Sequence, residues 1–162
     1  MRFAKYAAAL VLFVLVFAAP TYAQNNKPII SGTWYEDRAA SQIQGSSGIV
    51  LTFAQTPANK FLDITHVTCS ILTQPTQFLA FVTLNAGSTS GANDLGRPMS
   101  IRGNAASEAS TSIRYYSLVN DQIIYKLGPG RYPSILIGTA LNGGGSPTLT
   151  VDCVIVGELK DN

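Results

Sequence analysis

Apolar and β-branched residues recur along the chain in short runs, and in most runs they alternate with polar residues. The nine runs after residue 23 are Ile29–Tyr35, Gly48–Phe53, Lys60–Leu72, Gln77–Asn85, Met99–Arg102, Ser112–Asn120, Gln122–Leu127, Ser134–Leu141 and Thr148–Leu159. A period of two is typical of half-buried strands, and Gly-, Pro- and Asn-rich turns separate the runs. The pattern predicts an all-β fold: an antiparallel β-sandwich, jelly-roll-like, with eight or nine strands.

Some predicted strands are apolar on both faces. In the stretch FLAFVTL, Phe78, Ala80, Val82 and Leu84 share one face, and Leu79 and Phe81 share the other; Val154–Val156 and Ile135–Ile137 behave alike. Because a half-exposed strand has one polar face, we expect something to cover the outer side of this sheet. Another subunit, the N-terminal segment and the long loops are the three alternatives.

The first residues of the chain have a different pattern. Arg2 and Lys5 precede an unbroken apolar run, Ala7–Ala19, which Pro20 ends, and a small-x-small cleavage signal finishes at Ala23. The 13-residue run is shorter than the roughly 20 residues that span a bilayer. This pattern predicts a secretory signal peptide, export to the periplasm or the extracellular space, and no membrane anchor after cleavage.

Cleavage of the predicted signal peptide, residues 1–23, leaves a single β-sandwich domain over residues 24–162. The loss of Arg2 and Lys5 lowers Lys+Arg from 11 to 9, which equals the 9 Asp+Glu. The mature chain is therefore formally neutral and has no basic stripe, so we expect no nucleic-acid partner.

Cys69 and Cys153 are the only cysteines, and each lies on the apolar phase of its predicted strand. In an exported chain with no third cysteine, this favours a disulfide between them, either across the core or between neighbouring strands. The alternative is a pair of buried free thiols, because cysteine also packs well as a small apolar residue.

His66, the only histidine, stands three residues before Cys69. In a regular strand these two side chains point to opposite faces and cannot bind the same metal ion. The apolar phase shifts near Thr65 and His66, which indicates a β-bulge there. A structural zinc site usually takes four Cys or His ligands, and the chain has three such residues, so we expect no metal site.

The sequence lacks the common catalytic motifs. It has no G-x-S-x-G, no H-E-x-x-H and no Gly-rich phosphate loop before a helix. Any pair of acidic residues that the fold brings together remains a candidate for hydrolysis; these acids are Glu36, Asp37, Asp63, Asp121, Asp152 and Glu158. We expect no catalytic residue and no cofactor.

Two pairs of adjacent aromatic residues are the candidate binding residues, Trp34 with Tyr35 and Tyr115 with Tyr116. In a strand, one member of each pair faces away from the core, where it can stack on a sugar ring or enter a partner's pocket. The interpretation that we favour places Trp34 in the core and the tyrosines along a sheet surface.

Three stretches of the chain resemble a group of small exported bacterial β-sandwich proteins of unassigned activity: TPANKFLDITHVTCSI, YKLGPGRYPSILIG and LTVDCVIVGEL. The shared features are a Pro-Ala-x-Lys turn, a His-Val-x-Cys strand and a Pro-Gly turn. The matching residues are Pro57, Ala58, Lys60, His66, Val67, Cys69, Pro129 and Gly130. The resemblance implies a bacterial exported sandwich and supplies no catalytic residue.

These observations lead to three functions from different classes. The first, which we expect, is an exported non-catalytic β-sandwich that binds a glycan, a surface component or a protein partner. The second is a self-assembling structural subunit, a homo-oligomer whose doubly apolar strands meet across an interface. The third is a hydrolase with acidic or serine residues in a cleft.

The signal-peptide prediction has a direct test. Intact-mass analysis of the protein recovered from its host should give Gln24 as the first residue, because the cleavage signal ends at Ala23. A mature chain that still carries Met1 would contradict the prediction of export.

Overall fold

A computed structural model describes residues 27–102, 107–110 and 112–161, with the backbone alone for 107–109. The predicted signal peptide, residues 1–23, and its cleavage site lie outside these ranges. Within them, no helix has the length and apolar character needed to cross a membrane.

The elements of the described chain are strands. In chain order they are β1 (Ile29–Ser31), β2 (Trp34–Gln44), β3 (Gly48–Thr52), β4 (Lys60–Thr73), β5 (Gln77–Gly87), β6 (Met99–Ser100), β7 (Ser107–Ala109), β8 (Arg114–Asn120), β9 (Tyr125–Leu127), β10 (Tyr132–Leu141) and β11 (Thr148–Asp161). The first predicted run, Ile29–Tyr35, is divided into two strands by a tight turn at Gly32, whose φ of 61° is a conformation that glycine adopts readily.

The strands form two antiparallel sheets. Sheet A has the order β1-β2-β11-β4-β8-β7, with β9 also pairing with β4, and sheet B has the order β3-β10-β5-β6. Strands β2 to β5 alternate between the sheets, and the late strands β10 and β11 enter between these earlier neighbours. The predicted all-β class and antiparallel β-sandwich are confirmed.

The core lies between the sheets and is built from the inward phase of each strand. In β11 every second residue is buried, from Leu149 through Val151 and Cys153 to Ile155. Tyr35 on β2 is fully buried in the same cluster. Each such aliphatic side chain stabilises the fold by about 1.5–3 kcal/mol relative to exposure, so the two-residue period of the sequence defines the inner faces.

The bulge predicted near Thr65 and His66 is present. Opposite Val156 and Gly157 the register of β4 shifts, because His66 pairs with Val156 and Ile64 pairs with Gly157. The backbones approach so closely that a Cβ on Gly157 would stand 2.3 Å from the Asp63 carbonyl oxygen. The bulge therefore requires glycine at position 157.

A second bulge explains the strand that is apolar on both faces. Phe81 pairs with Gly138 and Leu79 pairs with Thr139, so Ala80 is an extra residue of β5 without a partner on β10. Beyond this bulge, the alternation of inward and outward side chains along β5 is reversed. The Phe81 ring covers Gly138, where an added Cβ would meet ring atoms at 2.3 Å. Phe78 and Phe81 remain 41% and 49% exposed, so the described chain does not cover them fully.

The predicted disulfide between Cys69 and Cys153 is present. The two cysteines are directly opposite each other on the adjacent strands β4 and β11, with their Cα atoms 4.1 Å apart. Of the two arrangements left open by the sequence, the bridge thus joins neighbouring strands within sheet A.

Reduction of this bridge should lower stability without abolishing the fold, because the domain has its own core. The bond closes a sequence separation of 84 residues, for which chain entropy gives about 4 kcal/mol and a fall of about 10 °C in Tm. Thermal unfolding with and without reductant measures the change. Titration of the denatured, unreduced protein should find no free thiol, and two thiols per chain would contradict the bridge.

Candidate functional site

The edges of the two sheets differ in length. The edge strands β1 and β7 have three residues each and β6 has two, whereas β3, at one edge of sheet B, has five. Short edge strands, charges and prolines are the usual means by which proteins prevent pairing with other chains. The sequence of β3, GIVLT, contains neither charge nor proline, so β3 is the least protected edge among the described strands.

The edge of sheet A on the same side of the sandwich is also partly open. Strand β1 pairs with β2 along Trp34–Glu36, and the rest of β2 has β11 as its neighbour on the other side. A cleft of about 580 Å³ separates this open stretch of β2 from β3. Its lining includes Lys27, Asp37, Ala39, Val50, Thr52 and Tyr132.

Asp37 is a buried carboxylate at the wall of this cleft, with 3% of its surface exposed. Its Oδ1 accepts a hydrogen bond of 2.9 Å from the Arg38 backbone N–H, and its Oδ2 accepts one of 2.7 Å from the Ala54 backbone N–H. The Tyr35 hydroxyl donates to the same Oδ2 at 3.3 Å. Asp37 therefore links the edge of β2 to the segment that follows β3.

The environment of Asp37 shifts two pKa values. Burial raises the pKa of Asp37 above its ordinary value of 3.8, although the hydrogen bonds from Ala54, Arg38 and Tyr35 act in the opposite direction. Burial, followed by the nearby Asp37 charge, raises the pKa of Tyr35 well above 10.0. Tyr35 thus remains a protonated donor to the carboxylate.

The hydrogen-bonding phase of β3 shows which backbone groups are free. The Phe53 N–H donates to the Pro133 carbonyl at 3.0 Å, and the Ser47 carbonyl accepts from the Thr139 N–H at 2.7 Å. Since bonding alternates along an antiparallel ladder, the odd-numbered residues of β3 bond to β10. The N–H and C=O groups of Val50 and Thr52 therefore point away from the sheet.

Exposed apolar side chains accompany these edges. Ile29 and Ile30 on β1 are 60% and 49% exposed, and Val50 on β3 is 45% exposed. Since β1 borders β2 and β3 lies across the cleft from β2, these residues are on one side of the sandwich. Exposed apolar residues beside outward-pointing backbone groups are typical of a protein–protein contact surface.

Of the four candidate aromatic residues, Trp34 is exposed, Tyr115 is half-buried, and the other two are buried. Tyr35 is fully buried and Tyr116 is 7% exposed, with its hydroxyl donating to the Gln77 carbonyl. Trp34 is 48% exposed, so the interpretation that places it in the core is wrong. One member of each adjacent pair faces away from the core, as predicted.

Trp34 and Tyr115 do not form one site. Trp34 is opposite Glu158 on β11, whereas Tyr115 is opposite Leu72, which pairs with Thr150 of β11. Eight residues of β11 separate the two rows, which corresponds to about 26 Å at the usual rise of a strand. Any ligand at Trp34 is therefore recognised without Tyr115 unless it is long.

His66 and Cys69 point to opposite faces, as predicted, since His66 is exposed and Cys69 is buried. The His66 Nδ1 lies 2.9 Å from the Thr65 hydroxyl oxygen. Among the described residues, no group of three or more His, Cys, Asp or Glu side chains is arranged to hold a metal ion.

Of the candidate acids, Asp63 and Glu158 are brought together. They are opposite each other on β4 and β11 and line a second cavity of about 420 Å³. Lys160 neutralises part of their charge, with its Nζ 2.7 Å from Asp63 Oδ2 and 4.0 Å from Glu158 Oε2. Asp152 instead forms an ion pair with Arg38.

Comparisons with known proteins do not place the chain in a family. No family model and no curated protein matches the sequence. Among solved structures, dimeric latent PorU from Porphyromonas gingivalis has a TM-score of 0.43 and 10% identity over 86% of this chain. The cyanophage Pam1 capsid has a TM-score of 0.38 and 12% identity, over 89% of this chain and 99% of that one. This chain spans 14% of the PorU chain.

Sequence reasoning named Asp37 only as one of six candidate acids for hydrolysis, and it missed both the position of Asp37 at the cleft and the open edge of β3. Asp37 lies between Tyr35 and Ala39 on the inward side of β2. A carboxylate at a position that the alternation assigns to the core could have indicated its buried role. The edge position of β3 had no signal, because strand order depends on contacts between residues far apart in the chain.

The raised pKa of Asp37 predicts a specific pH dependence of stability. The folded state binds the Asp37 proton more readily than the unfolded chain, so this contribution is present at low pH and is lost as pH rises through the folded pKa. The free energy of unfolding of the wild type, minus that of Asp37→Asn, should therefore increase as pH falls from about 7 toward 3.8. Near pH 7 the substitution should cost about 1–3 kcal/mol, since one backbone N–H loses its acceptor.

Asp94→Asn is a control of opposite sign. Hydrogen bonds from the Ser88 hydroxyl and backbone N–H lower the pKa of Asp94, so its contribution is present above the unfolded pKa and is lost on acidification. Urea unfolding at several pH values measures both differences. An Asp37 difference that falls on acidification would show that its pKa is not raised.

Proposed function

We propose that this protein is an exported, non-catalytic β-sandwich that binds a protein partner by pairing with an extended segment of that partner along β3. The observation that carries the proposal is the uncharged, five-residue edge of β3. Its outward N–H and C=O groups at Val50 and Thr52 are a template for strand addition.

The partner segment that fits this edge is itself extended and uncharged. Val50 faces outward beside the edge and lines the cleft, and Ile29 and Ile30 are exposed on β1, at the edge of sheet A. Burial of these side chains would add apolar contact to the backbone hydrogen bonds, at about 25 cal/mol per Å² removed from water. Main-chain bonds supply affinity in this mode, and the side chains select the sequence.

Export is the second part of the proposal. The Cys69–Cys153 bridge is of the kind that persists in an oxidising compartment, and the N-terminal pattern is that of a signal peptide. The resemblance to small exported bacterial sandwiches agrees with a periplasmic or extracellular location. We also infer jelly-roll connectivity, since β2 to β5 alternate between the sheets and β10 and β11 insert between them.

Glycan binding at Trp34 is a second candidate, and it rests on a different observation. Exposed Trp34 is next to Glu158 in the ladder, and Asp63 follows on the next strand. An indole face beside carboxylates and the Lys160 ammonium suits a hydroxylated ligand. The outer face of sheet A around Trp34, Glu158 and Asp63 would then be the sugar-binding surface.

Selection of displayed peptides on the purified protein tests the proposal. Val50→Pro removes an outward N–H for which the described part of the chain provides no backbone partner, and proline is tolerated at such edge positions. Selected peptides should bind the wild type and Val50→Thr alike and should bind Val50→Pro at least about tenfold more weakly, which is about 1.4 kcal/mol. Circular dichroism and Tm should confirm that the variants fold.

Trp34→Ala separates the two candidates. Peptide binding through β3 should be unchanged in Trp34→Ala, because Trp34 faces the outer side of sheet A. Selected peptides that bind Val50→Pro as well as the wild type would refute strand addition at β3. A glycan that binds the wild type and is lost in Trp34→Ala would instead support the second candidate.

A further inference from the structure

The free part of the β3 edge is limited on both sides by groups of the same chain. The Ser46 hydroxyl oxygen lies 3.3 Å from the Gly48 N–H as its acceptor, and the hydroxyl donates to the Gly48 carbonyl at 2.9 Å. At the other end, Asp37 accepts from the Ala54 N–H. The outward backbone groups of Val50 and Thr52 remain between these two capped positions.

This window is self-complementary. If two β3 strands run antiparallel about a two-fold axis at Leu51, Val50 of each copy is opposite Thr52 of the other. Both residues have outward N–H and C=O groups, so each pair exchanges both N–H···O bonds. A two-fold axis at Val50 would instead pair Gly48 with Thr52 and would require Ser46 to release Gly48.

We infer that the segment which pairs with β3 is the β3 strand of a second copy, which joins two B sheets into one continuous sheet about a two-fold axis at Leu51. This inference rests on the proposed function, because it names the partner at the same edge. Closed two-fold dimers are the commonest assemblies of identical chains.

The charges and shape of the edge favour a second copy. The strand is regular along its pairing with β10 from Gly48 to Thr52, with no bulge to twist it away. No charge lies on either strand of the pair, and the formally neutral mature chain has no net repulsion between copies. In the joined sheet, the exposed Val50 side chain would gain cross-strand contact with Thr52 of the other copy.

Two double variants that differ only at position 52 test the register. In the inferred dimer, position 50 is opposite position 52 of the other copy, so Val50→Lys with Thr52→Glu places opposite charges together. Val50→Lys with Thr52→Lys places like charges there. Sedimentation equilibrium of the chain from Gln24 should show a dimer for the wild type and the first variant, and a dimer at least about tenfold weaker for the second.

Residue-resolved amide exchange gives an independent readout. In the wild-type dimer the Val50 and Thr52 amides should be protected, and in the Lys/Lys variant they should exchange fast. Ile49 and Leu51 should stay protected in both, because they bond to β10 within one chain. Val119→Lys, at an exposed position on β8, should leave the dimer intact.

Each other outcome overturns the inference. If the wild type is monomeric up to about 1 mM, the inferred dimer does not form. If peptides nevertheless bind the wild type and not Val50→Pro, the proposed function survives with a different partner. A dimer whose Val50 and Thr52 amides exchange fast has its interface elsewhere. If the chain is monomeric and peptides ignore Val50→Pro, both the inference and the proposed function fail.

Discussion

The pairing of β4 with β11 is the interaction on which the rest of the sandwich depends. Both strands have 14 residues, and their register runs from Leu149–Thr73 to Asp161–Lys60. On one flank of this pair β11 carries β2, and on the other β4 carries β8 and β9. The disulfide joins β4 and β11 near the middle of their ladder. It therefore reinforces the strand pair to which β2, β8 and β9 are hydrogen-bonded.

The sequence predicted the features that depend on local periodicity. The inward phase of β11, the bulge at His66 and the opposite directions of His66 and Cys69 all follow from which positions are apolar. Two cysteines on apolar phases, together with the predicted export and the absence of a third cysteine, favoured the bridge. These features need only the chain's own alternation, which the amino-acid order contains directly.

The candidate site was less predictable, for a physical reason. Two features of the site depend on which strands pair across long sequence separations. These are the edge position of β3 and the absence of a β1 partner for β2 beyond Glu36. The single residue Asp37 occupies the junction because backbone N–H groups from Arg38 and Ala54 converge there. Trp34 shows the limit of composition, since a large aromatic residue is usually buried but here follows a tight hairpin turn and is half exposed.

The position of β11 in sheet A has a kinetic consequence. Strands β2 and β4 are separated in the sheet by β11, so they cannot belong to one sheet until residues 148–161 have been synthesised. Folding that waits for contacts between distant residues is slow. Sheet A therefore reaches its full strand order only after its last strand, β11, has been synthesised.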